Sequence, residues 1–148
     1  MKRHLILLAL LAVLTVPVCA QKGLAVAQLF DGRYKDRAGA TEVLVKGRQL
    51  KAYDLTLFRS LTLRATDAET RRIEQLVRTD ARHAADKETA ARGGRLYYGF
   101  YRFPPTDGRQ RYLFYRNNAL AGNASAGLIV VYLEGSATPD QLKQMFQK

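Results

Sequence analysis

RLYYGFYRFPPTDGRQRYLFYR, residues 95–116, reads as two aromatic-rich strands joined by a turn. Arg95 to Phe103 is the outgoing strand, and Arg109 to Arg116 returns. Between them, Pro104-Pro105-Thr106-Asp107-Gly108 supplies residue types that favour turns. With Phe103 set opposite Arg109, Tyr101 pairs with Arg111, Gly99 with Leu113 and Tyr97 with Tyr115. Side chains alternate across a strand. One face therefore carries Arg95, Tyr97, Tyr101, Arg109, Arg111 and Tyr115, with Gly99 leaving a gap and Phe103 and Leu113 diluting the polarity. The other face carries Leu96, Tyr98, Phe100, Tyr112 and Phe114, and it is expected to meet the helices.

Groups opposite one another on neighbouring strands lie about 5 Å apart. Arginine forks and flat rings at that spacing can hold a phosphate, a carboxylate or a sugar. Arg95, Tyr97, Tyr101, Arg109, Arg111 and Tyr115 are thus the candidate ligand-binding residues. The competing reading is ordinary cross-strand packing of arginine on tyrosine over a solvated sheet.

Outward from this hairpin the elements follow from periodicity. Asp67 to about Ala91 places Ile73, Leu76, Val77, Ala81, Ala84 and Ala85 on one helical stripe. Thr66 or Asp67 caps this helix, and Gly93-Gly94 is read as its stop. Leu55, Leu57, Leu61 and Leu63 recur at period two with Arg59 in the same row, a strand pattern, although Phe58 breaks the alternation and leaves a helical start open. Glu42 to Lys46 is a shorter strand, followed by a turn at Gly47-Arg48-Gln49. Leu24 to Phe30 suits a short helix. Gly127 to Glu134 is the most hydrophobic strand and is expected to be central. Thr138-Pro139-Asp140 opens a terminal helix with Leu142, Met145 and Phe146 on one face. The expected fold is α+β, a five-stranded antiparallel sheet with helices on one face in the order αββαβββα.

The chain has 148 residues. Its first twenty have the pattern of a secretory signal: Lys2 and Arg3, an apolar run from Leu5 to Val16, then Val18-Cys19-Ala20 before Gln21. Cleavage after Ala20 is expected to yield a soluble exported single domain, residues 21–148, with no transmembrane span. Lipidation at Cys19 is disfavoured because Val18 stands where lipoprotein signals want a small residue. Pro17 argues against an uncleaved anchor. Cys19 is the only cysteine, so the processed domain has no disulfide. Small exported eukaryotic domains usually lean on them, which points to a Gram-negative periplasm or outer membrane.

The formal charge is +11, of which Lys2 and Arg3 leave with the signal. The remaining surface favours anionic partners. Tyr98-Gly99-Phe100-Tyr101-Arg102-Phe103 superficially matches an RNA-recognition signature, but Tyr101 stands where that signature has valine, and nucleic acid is disfavoured as a partner. Asp80, His83 and Glu88, read on one helix, could pair for acid–base or metal chemistry. Glu88 is five residues from His83, however, a poor helical fit, and no second histidine remains after cleavage. Ser60 lacks a nucleophile elbow. Asn123-Ala124-Ser125 matches a glycosylation sequon. No catalytic residue is assigned, and no motif calls for a metal or cofactor.

Four segments carry a resemblance: Ala20-Gln21 at the signal's end, Leu57-Phe58-Arg59-Ser60-Leu61, Gly93 to Tyr101, and Arg111 to Asn118. They resemble small exported proteins of unknown function from Bacteroidota. The resemblance implies export and an α+β domain, and it carries over no activity, cofactor or site residue. The expected function is an exported periplasmic or outer-membrane-associated binding or accessory module. Its partner is an anionic envelope component, a glycan or another envelope protein. The alternative is a small enzyme acting on an anionic envelope substrate.

Overall fold

Thr66 opens the longest helix with a capping box: its side chain accepts from the Glu69 amide while Glu69 accepts from the Thr66 amide. This helix, α1, is Asp67–Ala81. The computed structural model describes residues 23–122 and 127–146. The expected signal, Cys19 and the sequon at Asn123 lie outside the described residues.

Before α1 come a 3-10 helix η1 (Ala25–Phe30), strand β1 (Ala40–Lys46), a second 3-10 helix η2 (Gly47–Tyr53) and strand β2 (Leu55–Leu63). After it come β3 (Asp86–Arg92), β4 (Arg95–Thr106), β5 (Arg109–Asn117), β6 (Leu128–Gly135) and helix α2 (Pro139–Phe146). The sheet order is β1-β2-β6-β5-β4-β3, antiparallel throughout. Helix α1 carries the chain to the far edge, and the meander β3 to β6 walks back until β6 docks on β2. The apolar strand β6 is interior, as its composition predicts.

The expected five-stranded sheet is corrected to six strands. The helix expected through Ala91 stops at Ala81, and residues 86–92 form β3 instead. The alanines at 84, 85, 90 and 91 extend a helical pattern, but tertiary pairing overrides propensity. The long strand β4 has a second edge whose backbone groups need partners, and β3 supplies them. Gly93 and Gly94, both at positive φ, form the two-residue hairpin turn that joins β3 to β4.

A second correction concerns register. Asp107 and Gly108, again both at positive φ, form a two-residue turn, so Thr106 faces Arg109. Pro104-Pro105 belongs to β4 and sits at a bulge, where a residue without an N–H is tolerated. Phe103 therefore faces Arg111, and Tyr101 faces Leu113. The pairing has slid by two residues, so the expected division into faces survives over most of the hairpin. Leu96 is the exception: a bulge near Tyr97 turns it to the opposite face.

The third correction is the number of covered faces. Helices cover both sides of the sheet, not one. Ile73 and Val77 of α1 and Val26 and Leu29 of η1 pack on Leu61, Tyr101, Phe103, Leu113, Tyr115 and Val130. Leu76 is only half-buried at the margin of this core. On the other side, Leu142 of α2 and Leu50 of η2 pack on Phe100, Tyr112, Phe114, Val131 and Leu133. Phe146 stacks on Phe114 with ring centroids 4.7 Å apart. The Tyr112 hydroxyl donates to the Ala137 carbonyl at 2.6 Å, tying the approach to α2 to the sheet.

Candidate functional site

Asp80 sits in the last turn of α1, yet its carboxylate serves another element. Its two oxygens accept from the amides of Ala25 and Val26 at 2.6 and 2.9 Å. Those amides open η1 and have no partner within it. Asp80 thus fastens η1 to α1. Burial pushes its carboxyl pKa up, opposed by the two amides and by nearby His83 and Arg111.

This junction borders a part of the α1-side sheet face that lies beyond the end of α1. Arg111 of β5 lines an open cleft of about 490 Å³ together with Asp80, His83, Thr79 and Pro104. The Arg111 guanidinium lies 5.7 Å from the Phe103 ring centre. Its Nε is buried and has no hydrogen-bond partner among the described residues. Opposite Arg111, on β6, stands Glu134. Glu134 accepts from the Tyr132 hydroxyl at 2.7 Å and lies 3.9 Å from the exposed Arg109. Burial first, and then this hydrogen bond, raises the Tyr132 pKa.

Beyond Glu134, a smaller pocket of about 170 Å³ opens under η1, lined by Phe30, Leu57, Arg59, Tyr132 and Glu134. Arg59 lies 5.4 Å from the Phe30 ring centre and makes no ion pair among the described residues. Leu24 lines both depressions, so they flank the start of η1. The junction gathers Arg59, Arg109, Arg111 and His83 around two carboxylates that already have donors. An anion with acceptor oxygens fits the guanidinium donors of Arg59 and Arg111, which no carboxylate meets among the described residues.

Of the six residues expected to bind ligand, the structure brings Arg109 and Arg111 to this junction. Tyr101 and Tyr115 lie in the core under α1 with 1 % and 0 % of their surface exposed, so a ligand cannot reach them. Burial raises the pKa of Tyr101 to about 12. The gap expected at Gly99 is filled by the Tyr101 ring, whose hydroxyl would stand 2.5 Å from a Cβ built there. Tyr97 is half-buried at its bulge beneath Arg92, 5.6 Å away.

Arg95 is part of a separate clamp. Its Nε donates to Glu74 at 2.7 Å, while Glu74 also accepts from Arg78 at 3.2 Å and from the Leu96 amide. Burial opposes the Glu74 charge, but these donors outweigh it and hold its carboxyl below the usual range. The clamp pins the start of β4 to α1.

The weaker constellation also separates. Asp80 gives both oxygens to η1, so it does not orient His83 as a general base. Glu88 lies on β3 opposite Phe100, on the α2 side of the sheet, where it pairs with Lys143 at 2.6 Å. No metal-binding cluster of histidine, cysteine and carboxylates occurs among the described residues. Sequence reading missed Tyr132 and Glu134 as site residues, although they alternate with Val131 and Leu133 in a strand otherwise apolar. It did place Arg59 in an apolar row.

The architecture is an α+β domain with a basic, partly enclosed junction at one end of its sheet. The sequence matches, over residues 13–146, a family described as Family of unknown function (DUF6108), and the chain belongs to that family. No curated protein and no solved structure matches it. No helix among the described residues is long and apolar enough to cross a membrane.

Proposed function

We propose that this chain is an exported, non-enzymatic binding module that takes an anionic or glycan-like envelope ligand at the Arg111 junction. The observation that carries the reading is the Arg111 guanidinium, which makes no ion pair among the described residues and lines an open cleft with His83. A charged donor that lines a cleft without a carboxylate partner gains from a ligand acceptor, because charge-assisted hydrogen bonds are roughly twice as strong as neutral ones. Arg109 and Arg59 extend the same positive field along the sheet end. The net charge of +11 favours the approach of an anion from a distance. Export rests on the signal pattern of residues 1–20. It places the module in the periplasm or at the outer membrane, and the resemblance to Bacteroidota proteins fits that compartment.

The test is binding of the purified chain to an acidic polysaccharide, to anionic-lipid vesicles and to inorganic phosphate. Affinity for at least one is expected to fall steeply as salt rises, because exposed charge is screened beyond about 8 Å at physiological ionic strength. Replacing Arg109 and Arg111 together with Gln is expected to weaken that binding while the melting temperature stays nearly unchanged, since Arg109 is exposed and Arg111 makes no ion pair whose loss would strand a buried partner. Binding that is unaltered by the double change, or absent from all three probes, overturns the site.

A further inference from the structure

The two edges of the sheet differ in how they meet solvent. β3 reads Asp-Lys-Glu-Thr-Ala-Ala-Arg, with charged and small residues that blunt an edge. β1 reads Ala-Thr-Glu-Val-Leu-Val-Lys and leaves Val43 39 % and Leu44 50 % exposed. It is the less protected edge, and most of its length is open.

The direction of its free backbone groups follows from one bond. The Gly39 carbonyl accepts from the Arg64 amide across the β1–β2 pair. In an antiparallel ladder both backbone groups of a residue point the same way, and the direction alternates along the strand. Thr41, Val43 and Val45 therefore point to β2. Glu42, Leu44 and Lys46 present their N–H and C=O groups outward. Neither Glu42 nor Lys46 has an ion-pair partner among the described residues.

We infer that β1 pairs with β1 of a second copy of this chain, antiparallel and two-fold symmetric about Leu44. In that register Glu42 stands opposite the second copy's Lys46 at both ends, Val43 opposite Val45, and Leu44 opposite itself. Outward residues meet outward residues, so the ladder bonds form. Sliding by two residues in one direction sets Glu42 against Leu44. Sliding in the other sets Lys46 against Leu44 and Glu42 against Arg48. Each slide desolvates a charge or exchanges the central leucine contact for a mixed one. A one-residue slip opposes outward groups to inward ones and breaks the ladder. The strand is thus self-complementary in backbone, apolar contact and charge at one register, which suits the closed two-fold symmetry of most homodimers. The contact joins two six-stranded sheets into one and leaves the Arg111 cleft outside it.

Sedimentation equilibrium of the purified chain at physiological salt tests the inference. A monomer–dimer equilibrium is expected in the micromolar range of loading. Glu42→Lys or Lys46→Glu alone opposes like charges at both ends. Each is expected to weaken the dimer roughly tenfold, about 1.4 kcal/mol, because like charges directly opposite one another are destabilising and the two-fold repeats each pair. The double swap Glu42→Lys with Lys46→Glu restores it. A chain that stays monomeric at every concentration overturns the inference, and so does a double swap that does not recover. Hydrogen exchange reads the same contact without substitution. The Glu42, Leu44 and Lys46 amides are expected to gain protection as protein concentration rises, while the outward amides of β3 do not. Equal behaviour of the two edges overturns the pairing.

Discussion

Arg95 and Arg111 lie on one hairpin, both among tyrosines, and they end in opposite circumstances. Arg95 is held: α1 lies over its end of the sheet and Glu74 meets its Nε at 2.7 Å, although its Nη2 is buried without a hydrogen-bond partner among the described residues. Arg111 sits where α1 has ended, lines an open cleft and makes no ion pair among the described residues. Alternation in a strand decides which residues share a face. It does not decide what covers that face. The length of α1 does, and it makes one end of the row structural and leaves the other open.

The largest effect should fall on the packing that seals the closed end. Ile73 is fully buried between α1 and the sheet. Ile73→Ala is expected to cost about 2–5 kcal/mol in chemical denaturation, the usual range for such a truncation. A loss under roughly 0.5 kcal/mol, the scale of surface changes, would mean α1 does not seal that face.

Glu74→Ala comes next. It leaves Arg95 and the Leu96 amide without their acceptor, at about 3 kcal/mol, the low end for breaking a buried pair because Arg95 keeps some contact with water. Gly99→Ala sharpens the same point at smaller scale. The new methyl collides with the Tyr101 ring, and overpacking of this kind costs about 1–3 kcal/mol. A neutral Gly99→Ala would show that Tyr101 does not fold over Gly99.

Acid titration separates Glu74 from Asp80. The Glu74 carboxyl is held below its unfolded value, near 4.5. The unfolded chain therefore takes up the proton first. The stabilisation is present above that value and is lost as pH falls through the lower, folded one. Asp80 is shifted upward from 3.8, so the folded chain takes up its proton first and acid favours the fold at that site. Glu74→Gln is expected to flatten the loss of stability with acid, and Asp80→Asn to steepen it. Urea midpoints measured from pH 6 to pH 3 check both slopes, and identical slopes in all three proteins would contradict the assignment.

Much of the fold was legible because periodicity survives register errors. The strand Leu55–Leu63, the interior place of β6 and the start of α1 all follow from apolar spacing and caps. β3 was not legible. Its alanines suit a helix, and only the unpaired edge of β4 and the Gly93-Gly94 turn make it a strand. The hairpin register slides because Pro104 and Pro105, residue types that favour turns, bulge within β4 instead. A slide of two keeps parity, so the Arg/Tyr face was grouped correctly along most of its length and its burial was misread. Whether that face meets water depends on where α1 lies and ends, which is a tertiary fact. Glu134 is not legible because its role comes from standing across from Arg111, a neighbour more than twenty residues away in sequence, and Tyr132 because its role comes from donating to Glu134.

The most direct test sets the two arginines side by side. Arg95→Gln and Arg111→Gln are each assayed for thermal stability and for affinity toward the acidic polysaccharide, vesicle or phosphate that the unsubstituted chain binds. The account predicts that Arg95→Gln lowers the melting temperature and leaves affinity unchanged. It predicts that Arg111→Gln leaves the melting temperature nearly unchanged and weakens binding about tenfold, the loss of one charge-assisted hydrogen bond of roughly 1.5 kcal/mol. The reverse pattern, with affinity lost at Arg95 and retained at Arg111, would contradict it.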